Sequence, residues 1–310
     1  MLSRFSVFFP LVLSLVAFIL TILCLFAGQD KGFMEDYAIA RVNTSMLGHN
    51  IFDTGNDTST SDDDDDDDGG FLDTLSDKWD EIKDEVKDKA NDITSDIADE
   101  LAETLGIAEW YSIHIMDACE GYYKPNATSP DAGLNVSDCT QSSPAKRFDL
   151  NKMLSQELDV GPFDLTLKDL NWPDAIDDAI DTLNGALLGM FILYVLGVGF
   201  SGLAMLACMA AFFLAGRRSV ALGNLVLALL AALSITVGSI IATVAAHKGV
   251  DKINDLGDDI GLSADLGSKF IAVTWVSSAF MLAATAYWAA HLCLMRREKK
   301  REWKHRKGSY

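Results

Sequence analysis

Four stretches of this chain carry no Asp, Glu, Lys or Arg: Phe5–Ala27 (23 residues), Ala186–Ala215 (30), Ser219–Ala246 (28) and Phe270–Met295 (26). A helix rises about 1.5 Å per residue, so roughly 20 apolar residues cross a hydrocarbon core about 30 Å thick. All four are long enough. They predict an all-α membrane protein, a four-helix transmembrane bundle with spans at 1–28, 185–215, 219–246 and 270–295. A soluble enzyme built on one globular core is excluded.

Charge orients the bundle. The 310 residues carry a net charge of −20, distributed unevenly. Gly28–Gly185 holds 38 acidic and 11 basic residues, and the short connection 247–269 holds 5 acidic and 3 basic. Basic residues dominate elsewhere: Arg4, the Arg217–Arg218 turn, and a tail at 296–310 with 8 basic against 2 acidic. Positive residues stay on the cytoplasmic side during insertion. Both termini are therefore expected inside, with the two acidic connections outside. Nucleic acid is an unsuitable partner, because the dominant charge repels phosphate. The first span reads as an uncleaved anchor: its apolar run exceeds a signal peptide's 7–15 residues, and Leu25 occupies the minus-three place of a cut after Ala27, where a small residue belongs.

Cysteines and sequons agree with that topology. Cys24 and Cys208 lie within spans and Cys293 at the inner end of the last, which leaves Cys119 and Cys139 as the one outer pair able to form a disulfide. The bridge would close about 20 residues, worth about 3 kcal/mol in the chain-entropy view. Asn-x-Ser/Thr sequons begin at Asn43, Asn56, Asn126 and Asn135, all in the first outer loop, and mark candidate glycosylation sites.

That loop is large, acidic and, by composition, partly disordered. Residues 29–70 read as a spacer ending in seven consecutive aspartates, Asp62 to Asp68, which bury too little apolar area to offset ordering entropy. Asp64, Asp66, Asp68 and Gly69 match the first half of an EF-hand loop, but its twelfth position is Leu75 where a bidentate Glu is required. A solvated spacer is the simpler reading, and no metal site is assigned. In 71–105, Leu75, Trp79, Ile82, Val86, Ala90, Ile93, Ile97, Leu101 and Leu105 recur at spacings of three and four, an apolar stripe on an acidic helix. Residues 106–184 read as a small disulfide-closed module. Trp110 to Cys119 alternates as a strand, 149–150 and 163–167 offer further short strands, and Trp172–Pro173 opens a lead-in helix to the second span.

Ionisable groups at membrane depth mark transport pathways, and no carboxylate, Lys or Arg falls inside any span. Small residues recur in fours, at Gly185/Gly189, Gly238/Ala242/Ala246 and Ala279/Ala283, which permits close helix approach within one bundle or between copies. The basic cluster Arg296, Arg297, Lys299, Lys300, Arg301, Lys304, Arg306 and Lys307 abuts the fourth span and fits contact with an anionic inner leaflet at about 1 kcal/mol per charge. No nucleophile elbow, zinc-protease motif, Cys-x-x-Cys or phosphate-binding glycine loop is present, so neither an enzyme nor a cofactor is expected.

One span, a large outer loop with two cysteines, and three closely spaced spans resemble the fungal PalI-type four-span membrane proteins, a family distantly claudin-like. Trp110, Cys119, Glu120, Gly121 and Cys139 carry the resemblance, together with Trp172–Ala179 and Leu266–Trp275. Trp110 and Gly121 are its motif residues. The Gly-Leu-Trp of claudins is missing and the acidic insertion 29–105 is long, which speaks against a junction-forming role. The resemblance implies a non-enzymatic organiser of a plasma-membrane microdomain of the cortical-patch (eisosome) type, tied to cell-wall integrity and endocytosis. Its partners would be anionic lipid, other membrane proteins or further copies of the chain, and the cell wall. The pH-response branch implies instead an accessory of ambient-pH signalling. A calcium-entry channel subunit is a third reading, drawn from the acidic loop.

Overall fold

The computed structural model describes residues 4–45, 108–127, 129, 132–140, 174–214, 217–257 and 262–307. Four helices are long and apolar enough to cross a membrane. They are α1 (Phe8–Phe26), α2 (Asp174–Phe213), α3 (Arg218–Gly257) and α4 (Ser268–Lys307). The last three have 40 residues each, about 60 Å of helix and twice a hydrocarbon core. Each therefore protrudes. The lead-in before span two and the basic tail after span four are continuations of their spans.

The bundle is lined by Ala17, Met190, Tyr194, Ala231, Ala232, Ile235, Met281, Ala284 and Trp288, while Val12, Ile192, Leu203, Leu222, Leu233, Ile240 and Leu282 point outward. Large aliphatic side chains face outward, while inside the bundle alanines alternate with larger groups such as Tyr194 and Trp288 and let the helices approach closely. Gly238 faces the Tyr194 ring, which a Cβ would meet at 3.3 Å, and Gly197 is pressed by Ile235. Hydroxyls bridge the helices. Thr21 Oγ1 and Ser277 Oγ share a hydrogen bond of 2.8 Å, Ser278 Oγ donates to Thr236 Oγ1 at 3.2 Å, and Ser277 Oγ also donates to the Ala17 carbonyl at 3.1 Å. These satisfy every side chain named without a charge at depth.

At one end of the bundle lies a five-stranded antiparallel sheet of order β4-β3-β2-β1-β5. Its strands are β1 (Ala40–Asn43), β2 (Trp110–Ile113), β3 (Ala118–Lys124), β4 (Gly133–Cys139) and β5 (Ser263–Leu266). Two expectations are thereby corrected. The label all-α fails, because the sheet is a second layer on the bundle. Residues 29–70 are not spacer throughout, since Ala40–Asn43 pairs with both β2 and β5. The connection 247–269 is mostly structured, α3 continuing to Gly257 before β5. The reason is shared: β5 enters α4 through Gly267 alone, and the chain after α1 turns through Glu35–Tyr37 into β1, so the neighbouring ends of α1 and α4 bring two short segments into register. Neither has enough strand propensity alone. Gly267 makes the junction tight, its N–H donating to the Ile39 carbonyl at 3.0 Å, with a Cβ there colliding with the Ala38 carbonyl.

The sheet is also fastened to the protruding end of α3. Val250 packs with Ala40 and Ala264, and Ile253 lies against them. Asn254 acts as a substitute strand: its Nδ2 donates to the Ala264 carbonyl at 3.1 Å and its Oδ1 accepts from the Ala264 N–H at 2.7 Å. Outside the described residues lie the apolar stripe of 71–105, the aspartate run, and the expected strands at 149–150 and 163–167.

Candidate functional site

The residues singled out from sequence converge where the sheet meets the bundle. Cys119 and Cys139 are direct partners across β3 and β4, their Cα atoms 4.0 Å apart, and they form the disulfide. Trp110 and Gly121 face each other across β2 and β3. Trp110 is wholly buried, and a Cβ on Gly121 would collide with its indole and with the Asn135 carbonyl. Only a hydrogen fits there. The register shift between Glu120 and Gly121 sharpens the strand's twist at that point. Arg41 covers the ring from β1, its Cζ 5.7 Å from the centroid, a cation–π distance.

Beneath the disulfide sits a polar cluster that sequence reasoning missed. His114 Nε2 lies 3.5 Å from Glu35 Oε1 and 3.4 Å from Ser112 Oγ, and all three residues are buried. Glu35 begins a 3-10 turn after Met34, whose φ of 54° is left-handed, and Gly28, at φ 81°, lets the imidazole pack against its backbone. Burial alone pushes the Glu35 carboxyl up, but the polar side chains of His114 and Ser112 beside it and the charges of His114 and Arg41 outweigh it. The net effect holds the group below its usual range. Glu35 and His114 are 79 positions apart with no motif between them, so only the fold reveals the pair.

Donor atoms of Glu35, His114 and Cys119 approach within 4.8 Å of one another. The Cys119 sulfur is committed to the disulfide and cannot serve as a thiolate. One carboxylate and one imidazole fall short of the four ligands of a structural zinc site. The cluster is read as a polar latch between the turn after α1 and the sheet.

The remaining candidates are spread apart. Asn43 lies in β1, Asn126 in the turn after β3 and Asn135 in β4, while Asn56 lies outside the described residues. At the opposite end of the bundle, Arg296, Arg297, Lys299, Lys300, Arg301 and Lys307 are exposed on α4, and Lys304 and Arg306 belong to the same helix, their side chains outside the described set. Arg218 Nη2 donates to the Met295 carbonyl at 3.3 Å, adding its charge to that end. Of the small residues, Gly238, Ala242 and Ala246 are used inside the bundle, whereas Gly185 and Gly189 would meet nothing within 4 Å.

Four spans bearing a disulfide-closed sheet at one end define a multi-pass membrane protein. The model of the SUR7/PalI family matches residues 6–287, and the chain belongs to that family. No curated protein and no solved structure matches the chain.

Proposed function

We propose that this protein is a non-enzymatic organiser of a plasma-membrane microdomain of the cortical-patch type, tied to cell-wall integrity and endocytosis. Both termini lie in the cytoplasm and the sheet lies outside, toward the wall. The observation that carries the reading is the unbroken course of α4 from membrane to tail. By helical spacing Arg296, Lys300, Lys304 and Lys307 share one face, with Glu298 and Glu302 away from it, so the span presents a preformed basic face to anionic lipid. Gly185 and Gly189, open on the bundle surface, suit the close approach of a neighbouring helix. Changing Lys299, Lys300, Arg301, Lys304, Arg306 and Lys307 to Gln keeps Arg296 and Arg297 as the orientation signal. Surface delivery should persist while photobleaching recovery quickens; unchanged recovery would defeat the lipid-contact reading.

One observation favours the accessory role in ambient-pH signalling: the buried Glu35–His114 pair on the proposed outer side. Failed alkaline adaptation in a Glu35→Gln strain with intact patches would favour it over the microdomain role.

A further inference from the structure

The sheet has two edges, and they are treated differently. An unpaired edge strand is a template for pairing with another chain, and proteins cover or interrupt it. The β5 edge is closed by the Asn254 amide, which satisfies both backbone groups of Ala264. On the β4 edge, Lys31 Nζ donates to the Ser137 carbonyl at 2.6 Å and pairs with Asp138 at 3.2 Å. That covers the end of β4 near the disulfide. Among the described residues no strand pairs with the outer side of β4, so Gly133–Val136 remains open.

Asn135 stands in the middle of that open stretch, within the sequon Asn135–Val136–Ser137. Its cross-strand partner is Tyr122, 37% exposed, and no protein hydrogen bond engages its side-chain amide among the described residues. Asn126, in the turn at the far end of the same hairpin, is exposed. Asn43 is placed otherwise. It lies on a strand paired on both sides, opposite the buried Trp110, and its Oδ1 accepts from the Ser45 N–H at 3.0 Å and from Ser45 Oγ at 2.7 Å. The side chain is folded onto its own sequon.

We propose that N-linked oligosaccharide is carried at Asn135 and Asn126 and not at Asn43, and that the Asn135 glycan covers the open β4 edge against pairing between copies. The donor class is a lipid-pyrophosphate-linked oligosaccharide of the secretory pathway. The Asn135 Nδ2 forms a bond to the anomeric carbon of the first sugar as it loses a proton. The bond from that carbon to the phosphate oxygen breaks, and the lipid pyrophosphate leaves with the electron pair. No oxidation or reduction is involved. The inference rests on the outward orientation of the sheet proposed above.

The test uses the full chain expressed in a glycosylating host. Asn135→Gln, Ser137→Ala, Asn126→Gln and Asn43→Gln are compared on gels before and after glycosidase. Asn135→Gln and Ser137→Ala should each lose the same single mobility step, Asn126→Gln a second, and Asn43→Gln none. In detergent at increasing concentration, Asn135→Gln, Ser137→Ala and enzymatically deglycosylated wild type should gain a cross-linkable dimer that Asn126→Gln does not. An unchanged mobility in both Asn135→Gln and Ser137→Ala overturns the site, and a lost step in Asn43→Gln overturns the discrimination. A lost Asn135 step without added dimer overturns the shielding role. Cys293, exposed at the opposite end, separates the two readings. Labelling by an impermeant maleimide only after permeabilisation keeps the orientation whatever the glycans do, whereas labelling in intact cells overturns orientation and glycan proposal together.

Discussion

The membrane bundle and the sheet at its end are held by opposite means. In the bundle, lipid is as apolar as the side chains, so burial drives little and close packing with helix-to-helix hydroxyl bonds carries the association. Gly238 under the Tyr194 ring and the Thr21–Ser277 bond show both devices. In the sheet, segments from positions 40, 110, 118, 133 and 263 meet in water, and no strand exceeds seven residues. It needs a disulfide, a buried tryptophan and a polar latch. The bundle is thus many small equivalent contacts, and the sheet depends on a few that cannot be replaced.

The largest effects should therefore fall in the sheet. Trp110→Ala removes a fully buried indole and should cost about 3–5 kcal/mol. Limited proteolysis should then cut the 108–140 region while circular dichroism retains the helical signal. If both are lost together, the two regions fold as one unit and the contrast is wrong. Cys119→Ser comes next, at about 3 kcal/mol, because the closed loop spans 20 residues. The expected readout is retention in the endoplasmic reticulum with the bundle still helical.

The same contrast governs what could be read from sequence. Each span is legible because its signal is local: an uncharged run long enough to cross the membrane. The disulfide is legible because the expected topology leaves one pair of cysteines on the outer side, and Trp110 and Gly121 stand out through the family resemblance that they carry with Cys119. Ala40–Asn43 and Ser263–Leu266 are not legible. Each is four residues long, with a charge and a polar group among them, and becomes a strand only when α1 and α4 set them side by side. Glu35 and His114 are hidden for the same reason, and so is Asn254, an unremarkable asparagine in sequence that closes a sheet edge in space. Non-local pairing has no period to detect.

An intermediate effect tests the bundle by close approach. Gly238→Leu places a branched side chain against the Tyr194 ring and should cost about 1–3 kcal/mol by overpacking. Gly189→Leu, at a position with nothing within 4 Å, should leave the thermal stability of the monomer in detergent unchanged while weakening assembly between copies. Equal destabilisation by both would mean that Gly189 is buried within the bundle after all.

Acid should act on the sheet and spare the bundle. The Glu35 carboxyl titrates below its ordinary value of 4.5 when folded, because pairing with His114, Ser112 and Arg41 outweighs burial. As pH falls, the unfolded chain takes up this proton first, so folding loses its preference for the ionised form. The Glu35 contribution is complete above pH 4.5 and disappears as pH drops through the lower folded value. Glu35→Gln should flatten the acid limb of sheet unfolding below pH 4.5, where this lowered carboxyl takes up its proton. An acid limb of wild-type steepness in that variant would show that other carboxylates control the latch.

The smallest effect should come from the hydroxyl pair. Thr21 and Ser277 join α1 to α4 at 2.8 Å, and Ser277 has a second acceptor in the Ala17 carbonyl at 3.1 Å. Hydrogen bonds between membrane helices are worth about 0.6 kcal/mol on average, since a separated helix finds other partners within itself. Thr21 already donates to that same Ala17 carbonyl at 2.7 Å, so the alternative partner is in place. Thr21→Val keeps the volume and removes the bond, and should shift bundle unfolding in denaturing detergent by about that amount. Ser277→Ala in the same background should add a further loss of similar small size, because Ser277 still donates to the Ala17 carbonyl there. A double-mutant coupling of several kcal/mol would make this contact as irreplaceable as Trp110, and the bundle would no longer differ in kind from the sheet.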